Sequence, residues 1–289
     1  MNVFSRSWQI TKLSFSVINK DRELLIFALL SFVFSGIFSL AMIVPSILPD
    51  IIDGGKSVQE LEIYQYVLIF LTYFGLAFIA SFFNVCVTYT AKVRFEGGNA
   101  TFGDSFRFAM SRIGLIAQWS ILSASVGLLL KVLERAVSSF GKVGEIVGRI
   151  VIGLMGAAWS IATIFVVPIL VYEGLGPIDS LKKSMKAVKE TWGENIVKSI
   201  GLGLMTFFAY VVVIAAGIGL TILLANQFDF TGLIVGVAIG GSLLLFTGLL
   251  FKVASTVFTT ALFVYANEKI VATDFSPDVI EGAFKSKKK

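Results

Sequence analysis

Six long apolar stretches alternate with short polar ones along the chain, at roughly 24–47, 63–92, 113–133, 147–172, 196–225 and 232–266. Each is long enough to cross a hydrocarbon core of about 30 Å, which takes about 20 helical residues. The pattern predicts an all-α polytopic membrane bundle of six transmembrane helices arranged as three hairpins. Ahead of each hairpin runs a shorter segment with a different rhythm. In the clearest one, Ile178, Leu181, Met185, Val188 and Trp192 recur at three- and four-residue steps, while Lys182, Lys183, Lys186 and Lys189 fall off that stripe. A helix of this kind lies flat at headgroup level. Phe4, Trp8, Phe15 and Ile18 sketch the same interfacial amphipathic helix before the first hairpin, and Phe102, Phe106, Ala109 and Ile113 before the second. Thr101 with Asp104 three residues on forms a capping box, and Pro177 suits the first turn of a helix.

The second stretch of each hairpin ends in a similar phrase: Val93-Arg94-Phe95-Glu96-Gly97, Val171-Tyr172-Glu173-Gly174 and Val264-Tyr265-Ala266-Asn267-Glu268. Arg6-Ser7-Trp8 and Lys183-Ser184-Met185 align as corresponding steps of two copies. The chain thus reads as one transmembrane domain of three repeat-like units, about 1–97, 98–175 and 176–270, with a basic tail at 271–289. The third unit departs from the others. As a single helix 232–266 would measure about 52 Å. It must tilt, bend or project, and Gly240-Gly241 is the natural bend. The fifth and sixth helices are expected to extend together past the outer surface.

Composition narrows the function classes. Hydrophobic residues make up 56% of the chain and charged residues 15%, against about 25% in soluble domains, with a mean hydropathy of +0.87. No stretch of 60 residues lacks a long apolar run, so there is no room for a separate catalytic domain. The first run lacks a signal-peptide cleavage pattern and reads as a retained span. Histidine is absent and Cys86 is the sole cysteine, which excludes disulfide scaffolds and Cys/His zinc sites. Cys86 lies in an apolar run and reads as packing. No metal site and no cofactor are expected. Gly236 to Gly241 have no Lys-Ser/Thr partner for a phosphate-binding loop, and the serines have no base to activate them.

Charge placement sets orientation, because cations near span ends are retained in the cytoplasm. Eighteen lysines and arginines fall on the side of the termini and lead-in segments, and five on the other, at Lys56, Lys131, Arg135, Lys142 and Arg149. The expectation is a multi-pass protein of the cell membrane with both termini cytoplasmic, the third loop being its weakest point. The net charge of +5, with Lys285, Lys287, Lys288 and Lys289 in the tail, points to anionic headgroups at the cytoplasmic face. Nucleic acid is not the expected partner, since the aromatics fall on the apolar stripes rather than among the cations.

Two sets of residues could carry chemistry. Lys252 is the one ionisable residue in the interior of a predicted span, away from its ends, which makes it a functional candidate. Gly241, Leu245, Gly248, Lys252, Ser255, Thr256 and Thr259 share a helix face that should look into the bundle or a wet cavity. With no carboxylate inside any span, its partners would be Asn84, Gln118, backbone carbonyls, a lipid phosphate or an anionic ligand. Counted from Ala266, Lys252 lies about 21 Å along the helix, so it could equally snorkel to the outer edge. Glu96 and Glu173 sit at equivalent helix C-termini, where an acid opposes the macrodipole at a cost of about 0.3 to 1 kcal/mol. Structural ion pairs with cations of the lead-in helices, Lys182 and Lys183 among them, would offset this.

Phe4-Ser5-Arg6-Ser7-Trp8, Lys20-Asp21 and the phrase from Glu173-Gly174-Leu175-Gly176-Pro177 through Trp192-Gly193 resemble an uncharacterised prokaryotic multi-pass membrane family. The phrase from Glu173 to Gly193 is also similar to the membrane region found beside some glycerophosphodiester phosphodiesterases. The resemblance implies a helical membrane protein with no established activity, and the soluble domain that carries phosphodiesterase chemistry has no counterpart here. The reading is a non-enzymatic scaffold or a protein that engages lipid, a protein partner or a second copy. The alternative is a permease or channel for a small or lipid-like anion, with Lys252 on its path.

Overall fold

The computed structural model describes residues 3–52, 63–139, 141–192 and 201–268, all in helices or the short turns between them. In order these are α1 Val3–Lys20, α2 Glu23–Ile52, α3 Ile63–Phe95, α4 Phe102–Ser111, α5 Ile113–Ser138, α6 Gly141–Ala162, α7 Val166–Tyr172, α8 Pro177–Trp192 and α9 Gly201–Glu268. No strand occurs among the described residues. Five helical stretches are long and apolar enough to cross a membrane: Glu23–Met42, Tyr64–Phe95, Ile113–Ser138, Gly144–Tyr172 and Leu202–Tyr265. The loop with Lys56, Lys198 and the basic tail 271–289 lie outside the described residues, as do the side chains of Phe4, Trp192 and Glu268.

The last of these stretches holds two of the predicted spans. α9 breaks at Phe228 (φ −127°, ψ 16°) and Asp229 (φ 50°, ψ −132°), and its two arms fold back on each other there. Gly217 faces Gly240 at backbone contact, Gly236 lies on Thr221, Gly232 on Leu224 and Gly248 on the Tyr210 hydroxyl. Those pairings run antiparallel about the break. The expected bend at Gly240-Gly241 is not there, since the only non-helical dihedrals within α9 are at the break. Gly240 serves close approach instead. Small residues at four-residue spacing let two helix backbones meet where any larger side chain would hold them apart.

The chain divides into two compact units. The first draws on 1–28, 90–100 and 190–289. Its core is the C-terminal quarter of α9, where Val253, Ala254, Val257, Phe258 and Thr260 to Val264 are buried, packed with α1 through Ile10, Val17 and Ile18. Phe15 meets Phe251 edge-on at 5.6 Å. Burial ends abruptly there. From Thr206 to Lys252 the large side chains of both arms are mostly exposed, including Phe207, Val212, Leu223, Val237 and Phe246. An exposed surface this apolar is unfavourable in water and ordinary in lipid.

The second unit draws on 29–89 and 101–189. α2 and α3 lie antiparallel, Phe34 stacked on Phe83 and the Phe38 ring against Gly75. α5 and α6 do likewise, with Trp119 stacked on Trp159 at 6.0 Å and Val137 against Gly148. Trp119, Val166 and Leu170 form a buried cluster that also takes up Leu115, Leu122 and Leu181.

Candidate membrane-surface site

The amphipathic helix α4 is set by its ends and its faces. At the N-cap, the Asp104 N–H donates to Thr101 Oγ1 at 3.2 Å and the Thr101 N–H to Asp104 Oδ2 at 3.1 Å, which completes the capping box. The Thr101 hydroxyl, its largest influence, holds the Asp104 carboxyl below the usual aspartate range, with a smaller contribution from Arg107. Ser105 and Ala109, one turn apart, are buried. Phe102, Phe106, Met110 and the following Ile113 are exposed.

α8 repeats this division of faces. Ser180 and Ser184, again one turn apart, are fully buried, with Val188 beyond them, whereas Ile178 is 60% and Met185 52% exposed. Ser180 Oγ donates to the Leu175 carbonyl at 3.2 Å. Ser184 Oγ accepts the Phe165 N–H at 3.1 Å. That N–H is available because Pro168 cannot sit in an unbroken helix without meeting the Ile164 carbonyl, so the helix stops after Ala162 and restarts at Val166. The single apolar stripe expected for α8 therefore divides. Leu181 and Val188 turn inward with the serines, and Ile178 and Met185 turn outward beside the exposed Lys182 and Lys186.

The repeated Glu-Gly phrases are the hinges from which these helices start. Gly97 has φ +84°, its N–H bonds to the Arg94 carbonyl and the Gly98 N–H to the Val93 carbonyl, a Schellman cap. Gly174 has φ +66°, and its N–H reaches the Leu170 carbonyl. The Arg112 guanidinium lies against Gly174, 2.7 Å from where a Cβ would sit, and the positive φ is what calls for glycine there. Arg112 in turn lies over the Phe108 ring. Glu173 is bound to Lys183 of α8 at 2.7 Å. Of the other residues expected in ion pairs, Lys182 faces Asp179 within its own helix, and Glu96 faces Lys92 one turn back in α3 rather than a lead-in helix.

A family of unknown function, DUF6159, matches residues 63–273. The chain belongs to the DUF6159 family. The matched region runs from α3 through the end of α9 and so includes α4 and α8. No curated protein matches the chain.

In this DUF6159 member Lys252 lies on the second arm of α9. It is exposed at the level where the buried quarter of α9 begins, and Gly241, Leu245 and Ser255 on its face are exposed too, with Thr256 and Thr259 half-buried. Most of the face expected to look inward thus looks outward, with Gly248, packed on the Tyr210 hydroxyl, the exception. The reason is the register, since the arms meet along the Gly232-Gly236-Gly240 face instead. Thr256 Oγ1 donates to the Lys252 carbonyl. Asn84 belongs to α3 in the other unit, half-buried.

Two arrangements escaped sequence reasoning. The first is the fork of Arg94 on Asp21, with Nε to Oδ2 at 2.6 Å and Nη2 to Oδ1 at 2.5 Å, Asp21 being only 1% exposed. Its signal was the charged corner Lys20-Asp21 and the arginine in the first repeated phrase. The second is the pair of buried serines on α8. They show in sequence only as small residues beside the apolar stripe.

Proposed function

We propose that this DUF6159 protein is a non-enzymatic integral protein of the cell membrane that engages the lipid surface through short amphipathic helices held at the ends of its spans. It crosses the bilayer six times as three hairpins, with both termini and the surface helices cytoplasmic. The observation that carries this is the shared division of faces in α4 and α8, with small residues docked on the protein and large apolar residues turned outward beside cations. Outward Phe102, Phe106, Ile178 and Met185 gain by entering the acyl boundary, and Arg107, Lys182 and Lys186 gain by meeting anionic headgroups, at about 1 kcal/mol per cation.

The α9 register supports the same reading. From the turn at Asp229 to Lys252 is twenty-three residues, about 35 Å, slightly more than the hydrocarbon core of about 30 Å. With the turn at the outer surface, Lys252 reaches the inner headgroups and 253–264 is packed in protein. The apparent excess length of the last span disappears. The similarity to the membrane region beside some glycerophosphodiester phosphodiesterases fits an association with lipid headgroups, without the catalysis.

Depth measurement tests the proposal. In a Cys86→Ser background, a fluorophore on Met185→Cys in vesicles of phosphatidylcholine and phosphatidylglycerol should be quenched by lipids spin-labelled near the headgroup, and one on Lys186→Cys by aqueous iodide. Equal quenching of both sites by iodide would reject a surface-inserted α8.

A further inference from the structure

At the turn end of the α5–α6 pair a groove of about 330 Å³ is lined by Tyr73, Gly127, Lys131, Glu134, Arg149 and Gly153, together with Leu130 and Ile152. Its charges sit where the apolar runs of both helices stop. Lys131 is nineteen residues beyond Arg112 along α5, about 28 Å. Arg112 marks one border of the apolar run of α5, so Lys131 marks the other, one core thickness away. Arg149 faces the same groove from α6, immediately before the apolar run from Ile150.

The chemistry of the lining is that of an anion site within a polar border. Two cations converge from two helices. Lys131 Nζ is 2.9 Å from Glu134, and Arg149 Nη2 is 2.5 Å from Glu145, so each cation is held near the groove by an acid on its own helix. These are exposed pairs of small individual strength, readily shared with or exchanged for a doubly accepting oxygen anion. Gly127 and Gly153 leave the walls bare. A Cβ on Gly153 would meet nothing within 4 Å, and one on Gly127 only the Tyr73 ring at 3.7 Å. Below the charges, Leu130 and Ile152 offer an apolar wall continuous with the span. A headgroup phosphate above and an acyl chain below match this order of surfaces.

We infer that this groove binds the phosphate of a membrane phospholipid, with Arg149 and Lys131 on the phosphate oxygens and the acyl chains along the Leu130–Ile152 wall. The inference rests on the reading that the apolar helices cross a bilayer, and not on the role of α4 and α8. It also gives a purpose to the cations that make the third loop depart from the one-sided charge distribution.

The test uses delipidated full-length protein in a neutral detergent, read by native mass spectrometry. Three probes are compared: dihexanoyl phosphatidylglycerol, dihexanoylglycerol and inorganic phosphate. The first should bind, and the other two should bind at least about tenfold more weakly. Lys131→Gln with Arg149→Gln should weaken phosphatidylglycerol binding by about tenfold or more. Gly153→Leu keeps every charge and fills the groove, and should weaken binding equally. Unchanged binding in Gly153→Leu overturns the site even if the charge variant misfolds. Inorganic phosphate binding as tightly as the lipid overturns the lipid source. In either case, fluorophore depth at residue 185 would be unaffected, which separates this failure from failure of the membrane-surface reading.

Discussion

Arg94 and Asp21 hold the corner between α1 and α2 to the end of α3, and their energetics follow from burial. A carboxylate with 1% exposure has lost its water, and the guanidinium fork replaces it with two charge-assisted bonds, while Asn99 Oδ1 accepts a further bond from Nη2 at 2.8 Å. Removing one partner strands the other. Arg94→Ala should destabilise the first unit by about 3 to 5 kcal/mol, and Asp21→Asn combined with Arg94→Leu should cost clearly less than Arg94→Ala alone. Thermal denaturation in detergent decides between them. Equal losses in the two variants would mean that shape rather than charge matters at this corner. Gly97 and Gly174 act at the same scale. Each ends a helix in the left-handed region, which for other residues costs about 1 to 2 kcal/mol, and so lets a surface helix start at a fixed angle.

At the scale of elements, α4 is tied to pH through its cap. Because the folded-state pKa of Asp104 is lowered, chiefly by the Thr101 hydroxyl, its contribution is complete above the ordinary aspartate value of about 3.9 and is lost as pH falls through the lower folded value. Helical carbon shifts at Thr101 to Asp104 should therefore persist to pH 4 and fade only on further acidification, and Asp104→Asn should abolish that dependence. Shifts that fade at pH 5 would contradict the cap. The α9 hairpin depends on its glycines. A Cβ on Gly236 would come within 2.5 Å of the Thr221 backbone, whereas one on Gly219 would meet nothing. Gly236→Leu should separate the arms and lower the midpoint of thermal denaturation in detergent, and Gly219→Leu should leave it unchanged.

How much of this was legible in the sequence differs by element. Apolar length and periodicity gave the helices and the capping box, because each depends on residues near one another in the chain. The α9 turn at Phe228 and Asp229 falls between the fifth and sixth apolar stretches read from the sequence, but the bend expected at Gly240-Gly241 is absent, because that pair reads locally as a kink and only the opposite arm, more than twenty residues away, reveals Gly240 as a contact point. The outward face of Lys252 was missed for the same reason. The division of the α8 stripe depended on Pro168 freeing the Phe165 N–H for Ser184, a relation between a span and a surface helix that no periodicity encodes.

For the molecule as a whole, membership of DUF6159 covers the second through last apolar stretches, which include four helical stretches long and apolar enough to cross a membrane. The central claim is that the α9 turn and the surface helices face opposite sides of the membrane. The most direct measurement is labelling of single cysteines, Asp229→Cys and Lys186→Cys in a Cys86→Ser background, by a membrane-impermeant maleimide in intact cells. The account predicts that position 229 is labelled from outside and position 186 only after permeabilisation. Labelling of position 186 in intact cells, or of both sites together, would contradict it.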